Sequence, residues 1–215
     1  MQSLIEGYRR FRNEIYPGQK SHFKLLADSQ QPHTLFITCS DSRVVPDMIT
    51  QTEPGELFIC RVVGNLVPAQ GSAPGGVTSA IEYAVSVLKV KHIIICGHSD
   101  CGAMRAFSTP EKLASLPAVG AWLEHASTAV TMSKQLYANR PEEEFLVKLT
   151  QENIVCQLQH LRTHASVAMG LRNKSLSIHG WYYQIGDGLV TSYDEERGLF
   201  VPLEEQFAAR PVAVA

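Results

Sequence analysis

The 215-residue sequence lacks a long apolar run, an excess of either charge and any CxxC pair. Its most apolar stretch, residues 93–96, is far too short to cross a bilayer. Residues 1–18 mix charged with apolar side chains and do not have the continuous apolar core of a secretory signal. Nineteen basic and twenty-one acidic residues leave a net charge of −2. We therefore expect neither a nucleic-acid nor a membrane partner.

The five cysteines are an odd number and lie in apolar or motif-like segments. This usage is typical of reduced thiols in a cytosolic protein, and it favours metal binding or catalysis over a disulfide framework. Other thiol and metal chemistries lack their motifs. Val45 stands where a cysteine phosphatase with Cys39 as nucleophile needs arginine, and both HExxH and the zinc deaminase signature are absent.

Composition and periodicity predict an α/β fold. Hydrophobic residues make up 45% and charged residues 19% of the chain, and the length suits one sizeable domain with no visible linker. Three short apolar runs predict strands covered on both faces, as in a parallel sheet. They are residues 34–39, 56–63 and 92–96. A helix over 77–88 connects the last two runs, so the sequence predicts a β–α–β unit.

Further elements follow from helical spacing and turn residues. The spacing predicts an N-terminal helix over 3–16 that Pro17-Gly18 ends, and a second short helix over 21–27. Residues 1–30 thus form a helical arm that could pack on the domain or on a partner subunit, whereas the tail 203–215 is poorly specified. Two more predicted helices span 117–136 and 141–161. A predicted hairpin pairs 176–184 with 189–193 through Gly186-Asp187-Gly188.

Two polar motifs follow predicted strands directly. They are CSDSR, residues 39–43, and HSDCG, residues 98–102. The carboxyl ends of parallel strands meet at one edge of a sheet, where ligands bind. Cys39, His98 and Cys101 would supply two thiolates and one imidazole there, which is a catalytic zinc set with its fourth position open. The remaining cysteines lie among apolar neighbours and are interpreted as core thiols. They are Cys60, Cys96 and Cys156.

With these motifs the chain resembles the β-class carbonic anhydrases, in particular the plant-like branch found in bacteria. The likeness covers residues 1–205 and extends through four further segments. They are EPGELF (53–58), GNLV (64–67), GGVTSAIEYAV (75–85) and HGWYY (179–183). The resemblance implies one domain over 1–215, with about four parallel strands, an antiparallel edge strand and flanking helices. It also implies a cytosolic enzyme that reversibly hydrates carbon dioxide to bicarbonate and a proton.

The resemblance also implies roles for individual residues. Cys39, His98 and Cys101 match the zinc ligands, one zinc per chain. Asp41 and Arg43 match the catalytic pair, in which the carboxylate would orient the zinc-bound hydroxide and the guanidinium would hold the carboxylate. The residues that match the substrate pocket are Gln30, Phe58, Val63, Tyr83 and Gly102.

The family likeness further implies a homodimer, or a dimer of dimers, in which the N-terminal helix reaches over the partner. Gln30 and Tyr83 would then belong to the neighbouring subunit's pocket. Val62 departs from the family, which usually has asparagine there. Phe36 and Thr38 stand where members that close their site with the aspartate tend to have tryptophan and glycine.

We therefore expect an open site at neutral pH, with water as the fourth zinc ligand and Asp41 paired with Arg43. Two alternatives stay open. The first is a non-catalytic zinc protein, structural or regulatory, in which Asp41 is the fourth ligand and closes the site. The second is a hydrolase of small carbon–sulfur compounds such as CS2 or COS, which needs a long apolar entrance.

Overall fold

The computed structural model describes residues 1–71 and 75–208. Its six strands are β1 Thr34–Thr38, β2 Leu57–Arg61, β3 His92–His98, β4 Ser177–Tyr183, β5 Val190–Asp194 and β6 Leu199–Pro202. They form one sheet in the order β2-β1-β3-β4-β5-β6. The first four in that order run parallel, and β5 and β6 join antiparallel. The predicted α/β fold is confirmed, with two antiparallel strands at the edge instead of one.

Helices flank the sheet. They are α1 Gln2–Arg10, α2 Tyr16–Asp28, α3 Pro46–Thr50, α4 Gly76–Ser86, α5 Gly102–Arg105, α6 Pro110–Leu113, α7 Pro117–Leu123, α8 Ser127–Leu136, α9 Glu142–Thr163, α10 Ala165–Arg172 and α11 Leu203–Ala208. Helix α4 is the predicted crossover between β2 and β3, and it buries Val77, Ile81 and Ala84 in the main core. Among the described residues, none of these helices is long and apolar enough to span a membrane.

Helix α9 lies close against β3 and β4 because two strand positions have no side chain. A Cβ atom on Gly97 would lie 2.9 Å from Ile154 Cδ1, and one on Gly180 would lie 2.7 Å from Ile154 Cγ2. Glycine at both positions lets the helix settle directly on the sheet. The main core therefore forms between this face of the sheet and the helices α4, α9 and α10.

The N-terminal arm differs from its prediction at Pro17-Gly18, which does not end the helix. A π-helical turn over Phe11–Ile15 joins α1 to α2, and Pro17 lies in the first turn of α2. Proline is tolerated there because an N–H group in the first turn needs no partner within the helix. The helical arm itself is confirmed.

Among the described residues, the contacts that fix the arm to the domain come from α2. In α2, His22 Nε2 lies 3.0 Å from the carbonyl oxygen of Pro54, and Leu26 packs over Gly55 so closely that a Cβ there would be 2.5 Å from Leu26 Cδ2. By contrast, α1 buries none of its residues, and its apolar side chains Leu4 and Tyr8 are mostly exposed. The first ten residues thus present an uncovered apolar face.

The predicted hairpin is present as β4 and β5, which pair antiparallel from Trp181–Ser192 to Tyr183–Val190. The tail that the sequence left poorly specified begins with the short helix α11. Residues 209–215 of that tail lie outside the described residues.

Candidate metal centre

The two motifs meet because β1 and β3 are parallel neighbours in register, with Thr38 opposite Cys96. Cys39 follows the last residue of β1, and His98 is the last residue of β3. Cys101 directly precedes α5. The carboxyl ends of the two strands therefore bring all three side chains to one edge of the sheet, as the sequence predicted.

The three side chains form a compact and buried donor set. One sulfur or nitrogen atom from each of Cys39, His98 and Cys101 lies within 4.8 Å of the others, and the two Sγ atoms are 4.0 Å apart. The Nδ1 atom of His98 is 2.9 Å from the carbonyl oxygen of Ser99. This contact fixes the ring so that Nε2, which is buried and has no hydrogen-bond partner, remains free to bind a metal.

These atoms fit zinc. Two thiolates and an imidazole are ligands that zinc prefers, and three protein ligands leave a fourth position for water or substrate. A buried nitrogen without a partner is costly in a folded protein, and a metal ion removes that cost. Among the described residues, no other group of three histidine, cysteine or acidic side chains has this proximity.

The surroundings of the sulfurs favour negative charge. The pKa of Cys39 is lowered, chiefly because its thiolate accepts a hydrogen bond from the Cys101 thiol, and the nearby His98 side chain and the backbone N–H groups of Gly64 and Asp41 act in the same direction. The Cys101 thiol, which keeps the shared proton, has its pKa raised. Two backbone N–H groups at the start of α5 point at its sulfur and act in the opposite direction. A metal that binds both sulfurs must displace that proton.

Asp41 and Arg43 form a bidentate ion pair beside the donor set. Arg43 Nε lies 3.0 Å from Asp41 Oδ1, and Arg43 Nη2 lies 2.8 Å from Oδ2. The backbone N–H of Arg43 also donates to Oδ1, at 3.0 Å. These bonds hold the pKa of Asp41 well below its usual range. The same Oδ2 is 3.9 Å from His98 Nε2, so the carboxylate adjoins the position a metal would take.

Arg61 supports the same loop, and the sequence analysis missed it. From the end of β2, its guanidinium donates to the backbone carbonyl oxygens of Cys39, at 3.3 Å, and of Asp41. Its sequence signal is its place beside Val62, where the family resemblance predicts asparagine. The side chain of Val62 packs against the main core, and its N–H donates to the carbonyl of Thr38.

The carbonic anhydrase family profile matches residues 34–190. The carbonic anhydrase of Pseudomonas aeruginosa is 46% identical over 212 residues, which cover 99% of this chain and 96% of that protein. The solved structure of the β-carbonic anhydrase CcaA superposes with a TM-score of 0.92 and 40% identity, over 94% of this chain and 98% of that one. This chain belongs to the β-carbonic anhydrase family.

A further β-carbonic anhydrase structure shares the fold at lower identity. It is one of two tetrameric enzymes of Sordaria macrospora, with a TM-score of 0.69, 28% identity, and coverage of 93% of this chain and 94% of that one.

The residues predicted for the carbonic anhydrase pocket fall into two groups within one chain. Val63 adjoins Gly64, whose N–H faces the Cys39 sulfur, and Gly102 follows Cys101 with open space around it. Both lie at the edge of the donor set.

The other predicted pocket residues lie towards the amino ends of the strands. Phe58 pairs in register with Leu35 and stacks on Tyr83, with 5.9 Å between ring centroids. Gln30 is exposed in the connection before β1, at the opposite end of that strand from Cys39. One chain therefore does not bring Gln30, Phe58 and Tyr83 to its own donor set.

Proposed function

We propose that this protein is a zinc-dependent carbonic anhydrase that interconverts carbon dioxide and water with bicarbonate and a proton. One observation carries the proposal. A buried Cys2His donor set with an unpartnered imidazole nitrogen lies beside a carboxylate that an arginine keeps ionised. Family membership supports the same reaction class.

Cys39 and Cys101, through their sulfurs, and His98, through Nε2, would hold the zinc ion. A bound zinc ion lowers the pKa of a water molecule to about 7 and so supplies a nucleophile at neutral pH. The N–H groups aimed at both sulfurs stabilise the thiolate charge that this binding requires.

Asp41 would accept a hydrogen bond from the attacking oxygen and thereby aim a lone pair of that oxygen at the carbon atom of carbon dioxide. Arg43 keeps the carboxylate ionised and fixes its plane through two parallel N–H···O bonds. Because Asp41 stays an acceptor only, it selects one orientation of the nucleophile.

The substrate is apolar, so an apolar pocket suits it. Val63 and the N–H of Gly102 would line that pocket from the same chain, and Gln30, Phe58 and Tyr83 are assigned to it as well. Their distance from the donor set of their own chain supports the contribution of a neighbouring subunit. We accordingly propose a homodimer or a dimer of dimers, in which the exposed apolar face of α1 packs on a second copy.

The five cysteines are free in the structure, which supports the cytosolic location expected from the sequence.

The rival is a closed, non-catalytic zinc site with Asp41 as fourth ligand. Both oxygens of Asp41 are engaged by Arg43, which favours the open form. A crystal structure of the zinc-loaded protein near neutral pH tests this choice. An Asp41 oxygen within about 2.2 Å of zinc would establish the closed form.

Stopped-flow hydration of carbon dioxide on protein of measured zinc content tests the function itself. We expect turnover in proportion to bound zinc, lost on chelation and restored by added zinc. Fully metallated protein without hydration activity would refute the proposal, and hydrolysis of CS2 or COS by the same preparation would replace it with the carbon–sulfur alternative.

A further inference from the structure

Arg43 has a second acidic partner, which comes from the other motif. Its Nη1 atom lies 3.4 Å from Asp100 Oδ2, and its Nη2 atom lies 3.1 Å from the backbone carbonyl oxygen of Asp100. Asp41 occupies the Nε and Nη2 side of the same guanidinium. Arg43 is therefore held on two sides, by one residue from each motif.

Asp100 in turn forms an ion pair with Arg105, the last residue of α5. Arg105 Nη2 lies 2.6 Å and Nε 3.2 Å from Asp100 Oδ1. Arg105 Nη1 also reaches Glu142 Oε1 in the first turn of α9, at 3.4 Å. A continuous chain of charged hydrogen bonds thus runs from α9 to the carboxylate beside the donor set.

Arg43 needs such support because its side chain is long and is 44% exposed. Holding an arginine in one rotamer costs side-chain entropy, and any freedom of the guanidinium passes directly to Asp41. Asp100 and Arg105 add one charge of each sign, so they constrain Arg43 without changing the net charge of the site.

We propose that Asp100, oriented by Arg105, is a positioning residue that fixes Arg43 and, through it, Asp41. The inference rests on the proposed role of the Asp41–Arg43 pair. Among the described residues, the hydrogen bonds of the Asp100 side chain go to Arg43 and Arg105 and not to the donor atoms, so we expect its carboxylate to act through the arginine.

The backbone of Asp100 offers a competing reason for an aspartate at this position. Its φ of 52° lies in the left-handed region, which aspartate and asparagine tolerate better than most residues. Asparagine keeps this tolerance and the side-chain shape but removes the charge. Asp100→Asn therefore separates the electrostatic role from the conformational one.

The network is exposed, with 55% of the Asp100 side chain and 47% of the Arg105 side chain open to solvent. Exposed ion pairs contribute little to global stability. A positioning role thus predicts an unchanged unfolding midpoint together with a lower kcat. A merely structural role predicts that the two fall together.

The experiment measures kcat, KM, zinc content and urea unfolding for wild type, Asp100→Asn, Arg43→Ala and the double variant. Glu144→Gln is the matched control, because it removes an exposed carboxylate from Arg140 at a comparable distance of 2.9 Å. We expect Asp100→Asn to lower kcat about tenfold, with KM within about twofold and full zinc content. In the Arg43→Ala background, Asp100→Asn should cause no further loss of kcat, because the guanidinium through which Asp100 acts is absent. Glu144→Gln should match wild type.

An equal loss from Asp100→Asn in both backgrounds, or wild-type kcat in the single variant, overturns the inference. Arg105→Gln gives a second variant, which should lower kcat in the same direction by about threefold. A crystal structure of Asp100→Asn supplies a readout that does not depend on activity. Displacement of the Arg43 guanidinium from Asp41 supports positioning, and an unmoved Arg43 refutes it. Wild-type protein without hydration activity would refute the proposed function, while this crystal structure would still decide the positioning.

Discussion

Strand β3 carries a histidine at each end, and the two have opposite surroundings. At the carboxyl end, His98 is fully buried and its Nε2 atom, without a hydrogen-bond partner, faces two sulfurs. At the amino end, His92 is exposed and its Nδ1 atom lies 2.7 Å from Ser177 Oγ. The same hydroxyl is 3.0 Å from Nε2 of His179. The Ser177 hydroxyl therefore forms hydrogen bonds with both amino-end histidines, whereas the Nε2 atom of His98 remains available to bind a metal.

The difference shows that the neighbours of a histidine decide its chemistry. Burial and the proximity of His92 lower the pKa of His179 to about 4, so this pair stays neutral in neutral solution. In the part of the chain that the structure describes, no thiolate or carboxylate contributes to their contact. At the carboxyl end, backbone N–H groups and Arg43 stabilise the negative charge of thiolate and carboxylate. Only that end therefore has the anionic donors that bind a divalent metal tightly.

The largest expected effect comes from removing a ligand from the donor set at the carboxyl end of β3. Cys101→Ser removes one sulfur, and a hydroxyl is a poor zinc ligand, so the variant should lose most of its zinc and its hydration activity. Elemental analysis measures the zinc-to-protein ratio. Cys60→Ser, which changes a thiol outside the donor set, is the control and should retain zinc. Full zinc occupancy in Cys101→Ser would contradict the assignment of the ligands.

The next largest effect concerns the Asp41–Arg43 pair, whose substitution should lower activity without removing zinc. Asp41→Asn should retain zinc but lower kcat by about 10²- to 10³-fold, because the amide can present N–H to the attacking oxygen where an acceptor is needed. Arg43→Lys should be impaired less, since an ammonium group cannot reproduce the bidentate contact. Stopped-flow assays on variants of matched zinc content give the comparison. Wild-type turnover in metallated Asp41→Asn would exclude the proposed role.

A smaller effect tests the packing between the two ends of the sheet. Gly180→Ala puts a methyl group within 3.0 Å of both Ile154 and Leu158, so it should lower the free energy of unfolding by about 1–3 kcal/mol. Gly186→Ala, which meets no atom within 4 Å, is the control. Urea unfolding of both variants measures the difference. Equal stability of the two would show that α9 can move away from the sheet at little cost.

The smallest effect concerns the amino-end histidines. Because the folded-state pKa of His179 is about 4, below its ordinary 6.5, the unfolded chain binds more protons between these values. This group therefore removes stability as the pH falls from about 6.5 to about 4, and adds no further change below that. His179→Gln should flatten this part of the curve relative to wild type. Urea unfolding near pH 7 and near pH 5 measures it, and parallel curves would disprove the assignment.

The sequence predicted the donor set because it needs only two strand ends and their order in the sheet. The motif residues Cys39 and His98 lie at those ends, and the parallel pairing of β1 and β3 brings them together.

The prediction that Pro17-Gly18 ends the N-terminal helix was wrong because a proline in the first turn of a helix loses no hydrogen bond. Strand β6 was missed because its four residues are too few to show alternation.

The support of the site was beyond sequence reasoning for a different reason. Periodicity tells which face a residue takes, but not where the tip of a long side chain goes. Arg61 and Asp100 reach the 39–43 loop from separate parts of the chain, and Arg105 joins them only through the Asp100 carboxylate. These contacts depend on where guanidinium and carboxylate groups at the ends of side chains lie. In the proposed dimer, the placement of Gln30 and Tyr83 depends on a second subunit, which one sequence does not position.

The hydrogen bonds of Arg61 make the pairing of two strands part of the active-site geometry. Thr38 is in register with Arg61, and from there the guanidinium reaches the carbonyls of the next residues, Cys39 and Asp41. A slip of β2 by one residue would move Arg61 by about 3.3 Å and turn its side chain to the other face of the sheet. Correct alignment of an edge strand, settled when the chain folds, is thus already a condition for the metal-binding loop to take its shape.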